Sequence, residues 1–448
     1  MPSVLNVKRE DLDSKEKRAN YTVGIIGCGQ VGILYADAFA QAGYKVTCND
    51  ENQSLLRKLA RAKNCFPNPE VEARIKKHIA AGNLSTSSVR KTTVAQSDII
   101  VFVANVKLDK KRNSDTSELE RVCKQIGAAL KKDSLLIYVG VGGFGSAESL
   151  IKETLENTSG LVAGKDFFAA YNPLHYSKGQ PSDSLEKVEL IVTSSDKPSL
   201  ESAFNILKTV SANVKSTSEV KAAELAVLFK VAQHDANMAL ANELAVFCEN
   251  AGIDFFRVLK LLNTDTAGFW PTISEEVNNR EACLLIESAE NLNVKLRLPL
   301  LCRQINEDMV KHAVILAQDA LRSCGKTLRR ARVAVLGSAT PNTSTEAFIK
   351  SATVKGAKIA LFDPVLSKTE ASDSTPVLKR SLNETVEASD CLVVLTGHES
   401  FKRLNLKRLR AVMKSPAVLV DLIGVADPKK IEAEGFIYRG LGRGIDKT

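Results

Sequence analysis

No stretch of this 448-residue chain stays apolar for the roughly 20 residues that a bilayer-spanning helix needs, so no membrane span is expected. The opening segment, residues 1–20, has no apolar core. It does not read as a signal peptide and is expected to be a flexible lead-in. The nine cysteines include no CxxC pair and no metal-ligand spacing. They read as small buried side chains in a reducing cytoplasm, with no metal site. A strong excess of charge is missing too: the net +9 is modest for this length. Basic clusters such as Lys110-Lys111-Arg112 and Arg329-Arg330-Ala331-Arg332 read as solvated surface. No nucleic-acid recognition motif accompanies them, so no such partner is expected.

What remains is ordinary globular composition, 44% hydrophobic and 25% charged, with length for about two to three domains. The most informative stretch is TVGIIGCGQVGILYADAFAQAGYKVTCND, residues Thr22 to Asp50. An apolar strand leads into Gly27-Cys28-Gly29-Gln30-Val31-Gly32, a GxGxxG turn that opens a helix and leads to a second strand. Each glycine has a physical task in such a turn. Gly27 permits the tight bend, Gly29 lets a pyrophosphate approach the backbone, and Gly32 lets the helix pack closely on the sheet. The free N–H groups at Gln30, Val31 and Gly32 then face the phosphates, favoured by the helix dipole. Asp50 stands 21 residues after Gly29. A carboxylate there accepts from ribose hydroxyls and repels a 2′-phosphate, which selects NAD over NADP. Cys28 reads as a small turn residue, or as a thiol activated by the helix N-terminus.

Near-continuous apolar runs at 98–103, 135–139, 167–171 and 188–192 alternate with helical stretches. They predict a parallel sheet covered on both faces. The pattern is α/β, with a Rossmann NAD-binding domain over 21–212. From Ser218 to about Leu262 the sequence is helical and free of proline, with Gly252 as a stop, and another helix covers about Leu298 to Leu321. This defines a central helical domain, 213–327. Strand and helix patterns alternate again from 328 to 448, with strands at 332–336, 358–362, 391–395 and 417–421. The result is a second Rossmann-like domain. Its first turn, Gly337-Ser338-Ala339-Thr340, lacks the later glycines and is not expected to hold an extended dinucleotide.

Three groups of motifs resemble the UDP-glucose/GDP-mannose dehydrogenase family in order along the chain. Ala223-Glu224 and Asn242-Glu243 match its AE…NE frame, followed by Cys248-Glu249-Asn250-Ala251-Gly252-Ile253-Asp254. Gln304-Ile305-Asn306-Glu307-Asp308-Met309 is similar to its next helix. Phe362-Asp363-Pro364, Leu395-Thr396-Gly397-His398 and Tyr438-Arg439-Gly440-Leu441-Gly442-Arg443-Gly444 resemble its C-terminal signatures. The resemblance implies an NAD-dependent oxidation of a nucleotide sugar at its primary alcohol, usually twice, in polysaccharide biosynthesis. It also implies a homodimer formed through the central helices and a UDP-sugar-binding type of C-terminal domain. The second oxidation in that family passes through a cysteine thiohemiacetal, with a lysine and an asparagine holding the oxyanion.

The chain departs from this pattern where the chemistry is done. Counted in the AE…NE frame, the lysine falls on Val227 and the asparagine on Val231. The nucleophile loop is replaced by Thr264 to Val277, with Val277 about where the cysteine belongs. The NPEFL acid becomes leucine in Asn172-Pro173-Leu174-His175-Tyr176, and the STVPPG turn becomes Val139-Gly140-Val141-Gly142-Gly143-Phe144-Gly145. The four-electron mechanism is therefore not expected. Two functional readings stay open: a dehydrogenase with a non-standard active site, or an inactive NAD-binding paralogue that regulates or assembles with an active enzyme. Lys230 and His234 share a helix face at i,i+4, and read either as substitute proton acceptors or as solvated surface. Cys283 reads as packing. His175 and Tyr176 stand at a strand end where site groups collect. Trp270, the only tryptophan, either stacks on a ligand or fills the altered loop.

Overall fold

The computed structural model describes residues 4, 7–63, 65–66, 68–109, 112–174, 184–262, 269–273, 280–338, 343–364, 378–425 and 427–444. The chain divides into two compact units, 1–231 with 283–294, and 232–282 with 295–448. The central helical section contributes residues to both units.

The first unit is built on an eight-stranded sheet. Its strands are β1 (Thr22–Ile26), β2 (Lys45–Asn49), β3 (Leu84–Ser87), β4 (Ile99–Val103), β5 (Leu135–Gly140), β6 (Phe168–Pro173), β7 (Leu190–Thr193) and β8 (Val214–Thr217). Their spatial order is β8-β7-β6-β5-β4-β1-β2-β3. The central strands are parallel, and β4 and β5 are buried almost throughout, as their unbroken apolar sequences require. The all-parallel expectation fails at one edge, where β7 pairs antiparallel with β6 and β8 follows β7. A parallel return needs a long crossover. The described residues between β6 and β7 hold only the short 3-10 turn Leu185–Lys187.

The N-terminal segment is not a loose lead-in. Val4, Val7 and Leu12 join the same core as Ile25, Ile33 and Phe39. Arg18 ties this segment down by donating to Leu12 O at 2.6 Å and Ala42 O at 2.7 Å. The apolar side chains at positions 4, 7 and 12 are what make it stick.

The second unit contains a five-stranded parallel sheet: β9 (Arg332–Leu336), β10 (Lys358–Phe362), β11 (Cys391–Val394), β12 (Ala417–Asp421) and β13 (Phe436–Gly440), in the order β10-β9-β11-β12-β13. Helix Arg297–Arg322 lays Ala313, Ala317 and Leu321 into the core over Val333, Val393 and Val418. Small residues on that face let the helix sit close to the sheet. Helix Val220–Ala251 ends as expected at Gly252, whose φ of 72° permits the left-handed closure in which Ile253 N donates to Cys248 O at 2.9 Å.

A buried polar chain braces this unit. Arg303 Nη1 donates to Asp235 Oδ1 at 2.6 Å, and Asn306 Nδ2 donates to the same oxygen at 3.0 Å. Asn242 Nδ2 donates to Asn306 Oδ1 at 3.0 Å, and Asn242 Oδ1 accepts from Thr272 N at 2.8 Å. The network thereby fixes the backbone on which Trp270 and Pro271 sit. Arg303 and Asp235 are almost fully buried, so removing one partner strands a charge in a poor solvent. Arg303→Ala is expected to cost about 3–5 kcal/mol in urea unfolding. A cost below about 1 kcal/mol, the range of an exposed pair, would show that the pair is not a brace.

Candidate functional site

The GxGxxG turn follows β1, where the chain leaves for β2 and β3 on one side and returns to β4 on the other. This is the topological switch point of the sheet, the position where open α/β sheets bind ligands. Gly27 takes φ +96°, and a Cβ there would lie 2.2 Å from Val103 O. A Cβ on Gly32 would lie 1.9 Å from Gly27 O, so the helix rests directly on the turn. Gly29 differs from both: nothing lies within 4 Å of its would-be Cβ. Its bareness is not needed for packing. It leaves open the space a pyrophosphate would take.

Helix Gln30–Ala42 begins at Gly29 with no side-chain cap, so its first-turn N–H groups are available to an anion. Asp50 faces the turn. Its Oδ2 accepts from Cys28 N at 2.7 Å and its Oδ1 from Asn52 N at 2.8 Å. A carboxylate has about four acceptor positions, so each oxygen keeps capacity for a ribose hydroxyl. The residues present thus fit an adenosine and pyrophosphate: Gly29, Gln30, Val31 and Gly32 would hold the phosphates and Asp50 the ribose. Bound there, NAD would supply the hydride acceptor. Cys28 is no activated thiol. It is fully buried beside Cys48, and that neighbour, with burial, pushes its thiol well above the ordinary range.

Two strands over from β1, the segment after β5 is rich in glycine. Gly140, Gly143 and Gly145 all have positive φ. The segment is held by Glu224, which accepts from Gly145 N at 2.6 Å and Ala147 N at 2.9 Å. Burial raises the Glu224 carboxyl, against the pull of these bonds. Its role as a loop holder was not legible from sequence, where it appeared only as part of a motif frame. Asn172 is likewise structural: Tyr35 Oη donates to its Oδ1, and its Nδ2 donates to Ile191 O at 2.6 Å.

Val227 and Val231 are buried on helix Val220–Ala251, whereas Lys230 and His234 are exposed. Among the described residues neither Lys230 nor His234 makes a hydrogen bond or ion pair, although Glu189 feels the Lys230 charge. Cys283 is buried, in line with packing. Eight of the nine cysteines are buried and Cys324 is half-buried. His175, Tyr176 and Val277 lie outside the described residues.

In the second unit, Trp270 is half exposed and packs against Phe256, with ring centroids 4.5 Å apart. The Arg443 guanidinium lies 4.0 Å from the other aromatic partner's centroid, that of Phe256, and bonds Asp254 Oδ2 at 2.7 Å. Trp270, Phe256, Asp421, Gly424 and Arg443 border one small cleft. The glycines of the C-terminal signature have packing reasons. Gly442 N donates to Glu249 Oε1 at 2.6 Å, and a Cβ on Gly444 would meet Ile253 N at 2.2 Å.

The glycine geometry yields a contrast. Gly29→Ala should leave urea stability within about 0.5 kcal/mol yet weaken NADH binding, followed by fluorescence titration. Gly27→Ala should cost about 1–3 kcal/mol in stability, through its positive φ and the Val103 carbonyl. Undiminished NADH affinity in Gly29→Ala would contradict the assignment of that opening.

Family models agree with this architecture. The chain matches the NAD binding domain of the UDP-glucose/GDP-mannose dehydrogenase family over residues 21–215, its central domain over 221–308 and its UDP binding domain over 339–428. UDP-N-acetyl-D-mannosamine dehydrogenase of Pyrococcus horikoshii is 24% identical over 433 residues, covering 94% of this chain and 99% of that protein. UDP-N-acetyl-D-glucosamine 6-dehydrogenase of Pseudomonas aeruginosa is 26% identical over 429 residues, covering 91% and 98%. Among solved structures, a UDP-D-ManNAc dehydrogenase from Pyrococcus horikoshii superposes with a TM-score of 0.79 at 24% identity, over 94% of this chain and 99% of that one. With all three domain models matched in order, this chain belongs to the UDP-glucose/GDP-mannose dehydrogenase family.

Proposed function

We propose that the chain is an NAD-dependent oxidoreductase that oxidises a hydroxyl of a UDP- or GDP-linked sugar, or of a related substrate, through a non-standard active site. The observation that carries this reading is the complete dinucleotide turn: an open Gly29, an uncapped helix start and Asp50 bonded to the turn at Cys28 N. The match to the family's UDP binding domain, and relatives named for UDP-sugar oxidation, support the substrate class. Lys230 and His234 are the proposed proton acceptors for a single oxidation, since Val227 and Val231 carry no group that accepts a proton.

One observation favours the second reading, a non-catalytic NAD-binding paralogue. Both valines are buried apolar side chains where the family resemblance calls for donors to an oxyanion. A panel of UDP- and GDP-sugars, assayed for NADH production, separates the two. The first reading expects turnover in the wild type and its loss in Lys230→Ala or His234→Ala. NADH binding without turnover on any sugar would overturn it in favour of the second.

We also propose a homodimer through the central helices. Leu240, Leu244 and Phe247 repeat at helical spacing on Val220–Ala251, yet are 51%, 41% and 68% exposed. An apolar stripe of this kind calls for a covering partner, and the family resemblance makes a second copy the natural one. Light scattering should report a dimer for the wild type and a monomer for the double variant Leu244→Glu, Phe247→Glu. A wild-type monomer at micromolar concentration would refute this assembly.

A further inference from the structure

We infer that Glu51 is a second determinant of cofactor choice, one that occupies two arginines which would otherwise receive a 2′-phosphate. The inference rests on the NAD reading above and adds to it a residue outside the glycine turn. Glu51 directly follows Asp50, so it stands at the first position beyond the ribose-reading acid. Its carboxylate is gripped from two helices. Arg90, at the start of helix Arg90–Gln96, places Nη1 3.0 Å from Glu51 Oε1. Arg121, inside helix Ser117–Gly127, places Nη2 2.7 Å from Oε1 and 2.9 Å from Oε2.

Arginine beside the ribose edge is the usual means of holding a 2′-phosphate, because the guanidinium fork matches phosphate geometry. This chain holds two such forks at the residue that follows Asp50, and both are engaged by its one carboxylate. Asp50, Glu51, Arg90 and Arg121 sum to zero charge, so the local field offers a phosphate dianion no net attraction. Arg90 also donates to Gln125 Oε1, so it is held in place even without Glu51. Glu51 is half exposed, and replacing it leaves no buried void. The bonds to Arg121 and Arg90 hold its carboxyl below the ordinary range, so it is ionised at neutral pH.

The test measures NADH and NADPH affinities by fluorescence titration for the wild type, Glu51→Gln, and Glu51→Gln combined with Arg121→Ala. Releasing both guanidiniums from the Glu51 carboxylate should raise NADPH affinity roughly tenfold to a hundredfold, with NADH affinity little changed. The added Arg121→Ala should remove most of that gain, and rising salt should shrink it. Equal NADPH-to-NADH ratios in wild type and Glu51→Gln would overturn the inference while leaving NAD binding intact. A uniform loss of both cofactors with a lowered melting temperature would show Glu51 to be a structural clip and overturn it as well. Failure of the wild type to bind NADH would instead strike the underlying reading.

Discussion

The close seating of helix Gln30–Ala42 on the glycine turn is the constraint from which the site follows. Gly32 must lack a Cβ because the Gly27 carbonyl already fills its place, and Gly27 must lack one because Val103 O fills its own. These contacts bring the helix start to the end of β1 and point its uncapped N–H groups over Gly29. Asp50 then closes the far side by accepting from Cys28 N. Strand, turn, helix and acid are therefore one mechanical unit, and the anion-binding geometry is its by-product.

The same economy of space recurs in the second unit. Gly442 and Gly444 are bare because helix Val220–Ala251 and the turn after it press against them. Asn242, Asn306, Asp235 and Arg303 connect that helix to helix Arg297–Arg322, and through Thr272 to the segment bearing Trp270. The motifs that carry the family resemblance here are largely a set of close approaches and helix-to-helix hydrogen bonds. These contacts do not involve the side chains of Val227 and Val231, which are buried on the same helix.

Much of the fold was legible because its signals are local. The apolar strands β1, β4 and β5, the Gly252 stop and the glycine turn each follow from a few adjacent residues. In the two large sheets the strands missed were β3, β8 and β13, whose sequences LSTS, VKST and FIYRG mix polar and apolar residues as edge strands do. The reversal at β7 was hidden because strand direction depends on the connection, not on the strand's own composition. The docking of Val4, Val7 and Leu12 was hidden because the segment is short on apolar residues and charged from Lys8 onward. At the site, the glycines and Asp50 could be read in order. The grip of Arg90 and Arg121 on Glu51, and of Glu224 on Gly145, joins residues far apart in sequence and needed coordinates.

The cofactor chemistry proposed for this chain requires the opening over Gly29 to be a dinucleotide site. The most direct measurement is a crystal structure of the chain soaked with NADH. Pyrophosphate density is expected within hydrogen-bond distance of the Gln30, Val31 and Gly32 N–H groups, with the adenosine ribose on Asp50. Cofactor density elsewhere on the chain, or an empty turn at saturating NADH, would contradict it.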